Sequence, residues 1–202
     1  MDAVSEMADT AVPSIVILSV WWAFLSTLEV LFSPHPLPGE ETPEDGGAAG
    51  TGEDRLAPLR AVDPGFDAET FLAGVRVVYE TVLRAYARGD VEALRPLLSV
   101  EVLDIFAAAC AGRAARGETL ELALAGIDGA EIAHVWVQPD ATEIAVLFRA
   151  RVARAERSAS GDVVGGDPEV VVTAGDLWTF ARPASSVADD WRVVATDEVQ
   201  VS

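Results

Sequence analysis

Hydrophobic residues follow two different periods along this chain, and the change falls near residue 118. Between residues 66 and 88, apolar side chains recur every three to four positions, as on one face of an amphipathic helix. Asp67 stands where an N-cap is needed, and Gly89 stands where the helix should stop. Phe66 and Phe71 have the spacing of a hydrophobic staple. We therefore predict that a long helix organises the folded part of the chain.

Two further helices are predicted after the long one. Asp90 can cap a short helix that Pro96 ends. Ser99 can cap a third helix, in which apolar residues keep the helical spacing until Gly117 ends it. These caps place all three helices before the change of period.

From Thr119 onwards apolar and polar residues alternate, which is typical of strands with one buried face. Asp128-Gly129 and Pro139-Asp140 are turn signals, and residues 157–168 have the composition of a loop. The predicted strands are 119–127, 131–138, 141–153, 169–182 and 191–200. Helices followed by an antiparallel meander predict an α+β fold with the helices on one face of the sheet.

A continuous apolar stretch covers residues 13–32, and Glu29 is its only charged residue. Twenty residues of helix span about 30 Å, the thickness of a bilayer core, so we predict a transmembrane helix. Its apolar anchor residues include Ile15, Leu18, Trp21, Trp22, Phe24 and Leu28. The alternative is a signal peptide, but residues 1–12 contain no basic residue and the apolar run is long for one.

Residues 33–65 are rich in Pro, Gly and acidic residues and have few apolar side chains. Such a composition does not bury enough apolar surface to offset the entropy of ordering, so we predict a disordered linker. The predicted organisation is therefore a tail over residues 1–12, a membrane helix over 13–32, a linker over 33–65 and a domain over 66–202.

The net charge of the chain is −19, and acidic residues occur in every part of it. Nucleic-acid binding needs a basic surface, so we expect no nucleic-acid partner. The single cysteine, Cys110, excludes an intramolecular disulfide and is best interpreted as a small buried side chain.

Residues 66–198 resemble the Tim44 C-terminal domain family, including its bacterial Tim44-like members. The stretches that carry the resemblance are FLAGVRVVYETVLRAYARGDVEALRPLLS at 71–99, GIDGAEI at 126–132, DLWTFAR at 176–182 and WRVVAT at 191–196. The resemblance implies a cone-like α+β fold, similar to NTF2-like domains, in which a curved antiparallel sheet wraps around helices.

The resemblance also implies a function and a location. Mitochondrial members anchor the protein-import motor, and bacterial members look like membrane-tethered scaffolds. We therefore expect a single-pass inner-membrane protein whose C-terminal domain lies on the cytoplasmic side. Its expected partners are proteins, with chaperone or translocase components as candidates. No catalytic, cofactor-binding or metal-binding residue is implied, and we expect neither an enzyme nor a cofactor.

Aromatic side chains on neighbouring predicted strands suggest an apolar pocket. Its lining would consist of Tyr79, Trp136, Phe148, Trp178 and Phe180. The simpler interpretation is that these rings form the core beneath the long helix. The pocket interpretation would make the domain a binding protein for a lipid or a small apolar ligand.

Two further groups of polar residues admit functional interpretations. His134, Asp128, Asp176 and Tyr79 could supply acid–base chemistry in such a pocket, but a lone His on an apolar face is more often a core residue. Arg149, Arg151, Arg154 and Arg157 form a basic cluster that either blunts a strand edge or contacts acidic lipid headgroups. A third class of function is an exported domain that is released by cleavage.

Overall fold

A computed structural model describes residues 55–186 and 190–200. Four helices precede four strands within these ranges. The helices are α1 (Ala57–Val62), α2 (Ala68–Arg88), α3 (Val91–Leu94) and α4 (Val100–Ala115). The strands are β1 (Thr119–Val137), β2 (Ala141–Arg157), β3 (Val163–Pro183) and β4 (Arg192–Val199). The predicted α+β class and the order of helices before strands are confirmed.

Helix α2 begins and ends where the local sequence predicts. The Asp67 carboxylate accepts a hydrogen bond from the backbone N–H of Thr70, and Gly89 adopts the left-handed conformation after the last turn. Phe66 and Phe71 bring their ring centroids within 5.5 Å, as a hydrophobic staple requires. The side chains of Asp90 and Ser99 likewise cap α3 and α4.

The structured region begins earlier than the predicted boundary at residue 66. Helix α1 lies within the part that we predicted as linker, and both Leu56 and Leu59 belong to the core. The composition of residues 33–65 concealed this helix because its two core residues stand among prolines and charges. Residues 1–54, including the predicted tail and membrane helix, lie outside the described residues. Among the residues described, we find no helix that is long and apolar enough to span a membrane.

The sheet is an antiparallel meander in the order β1-β2-β3-β4. The predicted hairpin turn at Asp128-Gly129 is wrong, since β1 continues through it. Both halves of β1 pair with the long strand β2, and Asp128 is instead an extra residue in a bulge between Ile127 and Gly129. Similar irregularities follow Leu124 and Ile132. Bulges strengthen local twist, so β1 is curved by its own sequence.

Strand β3 also begins earlier than predicted, at Val163 within the predicted loop. Strand β4 pairs only with the second half of β3, from Gly175 to Ala181. On its other side, β4 is joined by the chain between α3 and α4: Ser99 N–H donates to the Val193 carbonyl at 2.8 Å. This contact ties the helices to one end of the sheet.

Candidate functional site

The stretch DLWTFAR on β3 places four side chains on one face of the sheet. Asp176, Trp178, Phe180 and Arg182 alternate along the strand, and the register with β2 is regular across all four. Trp178 and Phe180 are buried in the core. Each of the four contacts a residue from outside the sheet, so this face of β3 joins the sheet to the helices.

Asp176 is bound to the middle of α2. The Tyr79 hydroxyl donates a hydrogen bond to Asp176 Oδ2 at 2.5 Å. Burial raises the pKa of the Asp176 carboxyl; the hydrogen bond from Tyr79 opposes that rise, and the charge of Glu198 adds to it. Burial also raises the pKa of Tyr79 well above its ordinary value, and the Asp176 charge acts in the same direction. Tyr79 therefore keeps its proton and serves as a donor.

Arg182 is bound at the other end of the motif, where α1 ends. Its guanidinium donates to the Asp63 carboxylate at 2.8 Å and lies 4.9 Å from the centroid of the Trp191 ring. The Arg182 side chain is only 14% exposed, so this ion pair is better shielded from water than most surface pairs. Through this ion pair, Asp63, which we predicted as part of the linker, is attached to the sheet of the domain.

Four of the five residues predicted to line a pocket pack directly against each other. Tyr79 stacks on Phe148 with ring centroids 4.4 Å apart, and Trp178 lies 4.8 Å from Tyr79. Phe180 contacts both Phe148 and Phe71. All four rings are almost fully buried, so they fill the space between α2 and the sheet. Their arrangement is that of a core.

Trp136, the fifth residue, lies on the opposite face of the sheet. The extra residue Ala133 separates the pair Ile132–Val146 from the pair His134–Ala145, and it reverses the alternation of β1. Ile132 therefore packs against the core, whereas His134 is exposed, with its ring centroid 5.6 Å from that of Trp136. The hypothesis that His134 points inward is wrong for the same reason.

No catalytic arrangement of the acid–base candidates emerges in the described part of the chain. Asp128 lies on the outer face in an ion pair, while Asp176 and Tyr79 bind each other in the core. No group of three or more His, Cys, Asp or Glu residues there is placed to hold a metal ion. Two surface depressions, of about 170 and 280 Å³, are lined by other residues than the five pocket candidates.

The four arginines of β2 are matched by acidic residues. Arg149 pairs with Glu131, and Arg151 pairs with Asp128. Arg157 pairs with Glu121 and Arg154 with Glu156. Strand β2 lies inside the sheet, so the interpretation of this cluster as a strand edge is wrong. Three of these ion pairs join β2 to β1, and the pair Arg154–Glu156 lies within β2.

A buried arginine binds the C-terminal end of α2. The sequence analysis did not identify this arginine as a functional or structural residue. Arg113 of α4 donates to the Tyr86 carbonyl at 2.6 Å and lies over the Tyr86 ring at 4.4 Å. A cation is favourable there because the carbonyls at a helix C-terminus carry partial negative charge. Cys110 is buried next to this arginine, as predicted. The signal in the sequence was only an Arg near the end of an Ala-rich helix.

A family model for the Tim44-like domain matches residues 53–198. The chain belongs to the Tim44-like domain family. The match begins before the predicted boundary at residue 66, in agreement with the position of α1. The residues whose resemblance suggested the family include the DLWTFAR strand, whose side chains hold the helices of this Tim44-like domain against its sheet.

One curated relative is the mitochondrial import inner membrane translocase subunit TIM44-1 of Arabidopsis thaliana. The two sequences are 26% identical over 124 residues, which is 61% of this chain and 26% of the relative. The chain thus spans about a quarter of the length of that relative.

Three solved structures are similar at low identity. The intermembrane-space region of the chloroplast protein ARC6 has a TM-score of 0.45 at 14% identity, covering 67% of this chain and 98% of that one. A ketosteroid isomerase-like protein from Erwinia carotovora atroseptica has a TM-score of 0.34 at 17% identity, covering 67% and 100%. A conserved protein from Planctomyces limnophilus has a TM-score of 0.34 at 15% identity, covering 65% and 98%.

Proposed function

We propose that this chain is a membrane-tethered scaffold whose Tim44-like domain binds protein partners. Residues 13–32 would hold the domain at an inner membrane as a single-pass anchor, with the domain on the cytoplasmic side. The partners would be components of protein translocation or membrane-protein assembly. Membership of the Tim44-like family supports this role, since the plant relative is named as a translocase subunit.

The observation that carries the proposal is that alternate residues of the DLWTFAR stretch on β3 hold the helices against the sheet. Asp176, Trp178, Phe180 and Arg182 are all engaged by helices or by neighbouring rings. A catalytic pocket needs polar groups that converge on free space, and here those groups bind each other. A domain built in this way offers its outer surfaces to partners, which favours a binding role over an enzymatic one.

Membrane extraction tests the tether. The full chain should stay in the membrane pellet after carbonate washing, and replacing Leu18, Trp21 and Leu28 with Asp should release it. A shortened soluble form in the compartment outside the inner membrane would contradict the tether and support an exported domain. Protease added to right-side-out and inverted vesicles then reports the side, since cytoplasmic exposure predicts digestion of residues 55–202 only in inverted vesicles.

A further inference from the structure

Helix α1 lies across one end of the sheet and is bound to it at both of its own ends. Just before the helix, the Arg55 guanidinium donates a hydrogen bond to the Ile132 carbonyl of β1 at 3.3 Å. Just after the helix, the Asp63 carboxylate accepts a hydrogen bond from Arg182 of β3 at 2.8 Å. Strand β2 lies between β1 and β3, so these two contacts make α1 reach across three strands.

Only two leucines bury α1 between these contacts. Leu56 and Leu59 belong to the hydrophobic core, whereas Val62 is 59% exposed. Every residue of the helix except Leu59 is exposed. We name the surface between the Ile132 carbonyl and the Arg182 guanidinium, which the two leucines cover, the seat of α1.

Helix α1 is too short to be stable without its seat. It contains six residues, whereas an isolated helix in water needs roughly 12–15 residues even to be marginally stable. Its N-cap residue, Leu56, provides no side-chain hydrogen bond, although such a bond stabilises the start of α2 at Asp67. The helix therefore forms because it is seated, and it loses its helical structure when it leaves the seat.

The caps and strand pairings that the structure describes in the rest of the domain do not involve α1. Helix α1 is also the first element in the described part of the chain. An element at the border of a domain with few buried side chains opens at a lower free energy than the core does. Opening of α1 breaks the ion pair between Asp63 and Arg182 and uncovers the seat.

The chemistry of α1 defines which partner fits the seat. An Arg and a Leu stand next to each other, a second Leu follows three positions later, and an Asp follows four positions after that. These residues are Arg55, Leu56, Leu59 and Asp63. Positions three and four apart lie on the same face of a helix, so one face of a partner helix can present the two leucines and the acid. The acid is needed because Arg182 is only 14% exposed and loses its carboxylate when α1 leaves.

A partner helix has an advantage over a second copy of this chain. A second copy offers the same six-residue helix, so an exchange of α1 between two copies gains no new contact and loses the freedom of two separate chains. A partner helix that has a side-chain cap and a further turn is more stable by itself than α1. Such a helix therefore displaces α1 at a concentration at which a second copy does not.

We propose that α1 is a displaceable cover and that its seat binds a short helix of a partner protein. The partner helix presents two Leu residues three positions apart and an Asp or Glu four positions after the second Leu, and this acid pairs with Arg182. Amphipathic helices in apolar grooves are held by anchors at such helical spacing. This use of the seat rests on the proposed protein-binding function and gives that function a surface and a class of partner.

Binding of a synthetic α1 peptide tests the displacement with the full chain in detergent micelles. The probe is a fluorescent peptide with the sequence of residues 53–65, and the readout is anisotropy. Leu59→Ala in the chain loosens the resident α1, so this variant should bind the probe about fivefold or more tightly than the natural chain does. Val62→Ala is the matched control at an exposed position of the same helix and should leave the affinity unchanged. Equal affinities of the Leu59 variant and the natural chain, or no binding to either, overturn the proposal.

Further variants separate the seat from a general loss of stability. Asp63→Asn removes only the ion pair of the resident α1, so it should also raise the affinity for the probe, and it serves in place of Leu59→Ala where that variant does not fold. Adding Arg182→Gln to Asp63→Asn takes the ion pair from the probe as well and should weaken its binding by about fivefold. A probe with Ala in place of both leucines should bind none of these chains. Equal binding of the two probes would mean that the peptide does not occupy the seat, and the proposal would fail.

Amide hydrogen exchange of the full chain measures the opening and identifies a competing occupant. The Arg60 amide donates to the Leu56 carbonyl at 2.9 Å, and we expect it to be about tenfold or more less protected than the Tyr79 amide in the middle of α2. Equal protection of the two amides would mean that α1 opens only with the whole domain, which overturns the proposal. Protection of the Arg60 amide that grows with protein concentration would mean that copies exchange α1, which overturns it too. None of these results bears on membrane extraction, so a failure here leaves the proposed tether to be judged by its own experiment.

Discussion

Tyr79 and Asp176 lie 97 positions apart in the sequence and are joined by a hydrogen bond of 2.5 Å between the tyrosine hydroxyl and the carboxylate. The bond connects the centre of α2 to the strand that carries the DLWTFAR stretch. Phe148 stacks against the same tyrosine at 4.4 Å, so one side chain of α2 contacts both polar and aromatic groups of the sheet. This arrangement fixes the position of the long helix along the sheet as well as its distance from it.

The first prediction concerns a substitution that removes only the Tyr79 hydroxyl from its hydrogen bond with Asp176. Tyr79→Phe keeps the ring that packs on Phe148 and leaves the largely buried carboxylate of Asp176 without this donor. We expect the free energy of unfolding to fall by about 1.5–3 kcal/mol, as for other hydrogen bonds to a charged group. Urea unfolding followed by tryptophan fluorescence measures the change. Tyr86→Phe is the matched control and should cost less than about 0.5 kcal/mol.

The second prediction concerns the ion pair between Arg182 and Asp63. A double-mutant cycle with Arg182→Gln and Asp63→Asn should give a coupling free energy of about 1 kcal/mol, because the arginine side chain is 14% exposed and the distance is 2.8 Å. The same cycle on Arg95 and Glu92, an exposed pair within one helix region, should give about 0.3 kcal/mol. Equal coupling in the two cycles would contradict a structural role for the motif arginine.

Local sequence signals predicted the helices well and one part of the sheet poorly. Asp67, Asp90 and Ser99 act as caps because a cap depends only on residues three positions away. The turn signal at Asp128-Gly129 failed because a hairpin also needs two segments that pair with each other. Here both segments pair with β2, and that preference depends on residues far along the chain.

The sequence predicted which aromatic residues meet beneath α2, but it did not predict which face of β1 is buried. Tyr79, Phe148, Trp178 and Phe180 meet because period-two alternation holds where β2 and β3 pair regularly, over residues 141–152 and 172–183. On β1 the inserted residue Ala133 reverses the alternation, and no local pattern announces it. The contact from Asp63 to Arg182 was missed because compositional bias dominated the prediction for residues 33–65.

The third prediction tests the earlier start of the domain. Leu59 is fully buried in the core, so Leu59→Ala should lower the free energy of unfolding by about 2–5 kcal/mol. Val62 lies in the same helix and is exposed, so Val62→Ala should cost less than about 0.5 kcal/mol. Chemical denaturation of both variants decides between a structural α1 and a linker. Similar small costs would mean that residues 55–65 do not belong to the cooperative unit.

The fourth prediction concerns the arginine at the end of α2. Arg113→Gln removes the cation from the Tyr86 carbonyl and from the Tyr86 ring, and we expect a cost of about 1–3 kcal/mol. Arg116→Gln, at the exposed residue that directly follows α4, is the control. The free energy of unfolding that Arg116→Gln loses should be about the small contribution of a surface ion pair. Thermal unfolding of both variants measures the difference.

The last prediction concerns pH and the carboxyl of Asp176. Burial raises its pKa in the folded domain above the ordinary value of 3.8, so the folded state binds this proton more tightly than the unfolded chain does. The favourable contribution is complete below the ordinary value and is lost as pH rises through the raised one. Asp176→Asn cannot lose a proton, and its amide oxygen still accepts from Tyr79. The variant should therefore gain stability relative to the natural chain as pH rises from about 4 towards neutrality.

Unfolding by urea at a series of pH values between about 4 and 8 measures this difference directly, because the natural chain and the Asn variant share every other titrating group. Asp104→Asn, at an exposed position of α4, shows how much of any trend comes from a change of net charge alone. A difference between the Asp176 variant and the natural chain that stays constant with pH would contradict a raised pKa at this carboxyl. A difference of the opposite slope would mean that the hydrogen bond from Tyr79 outweighs burial, and the pair would then stabilise the domain most at neutral pH.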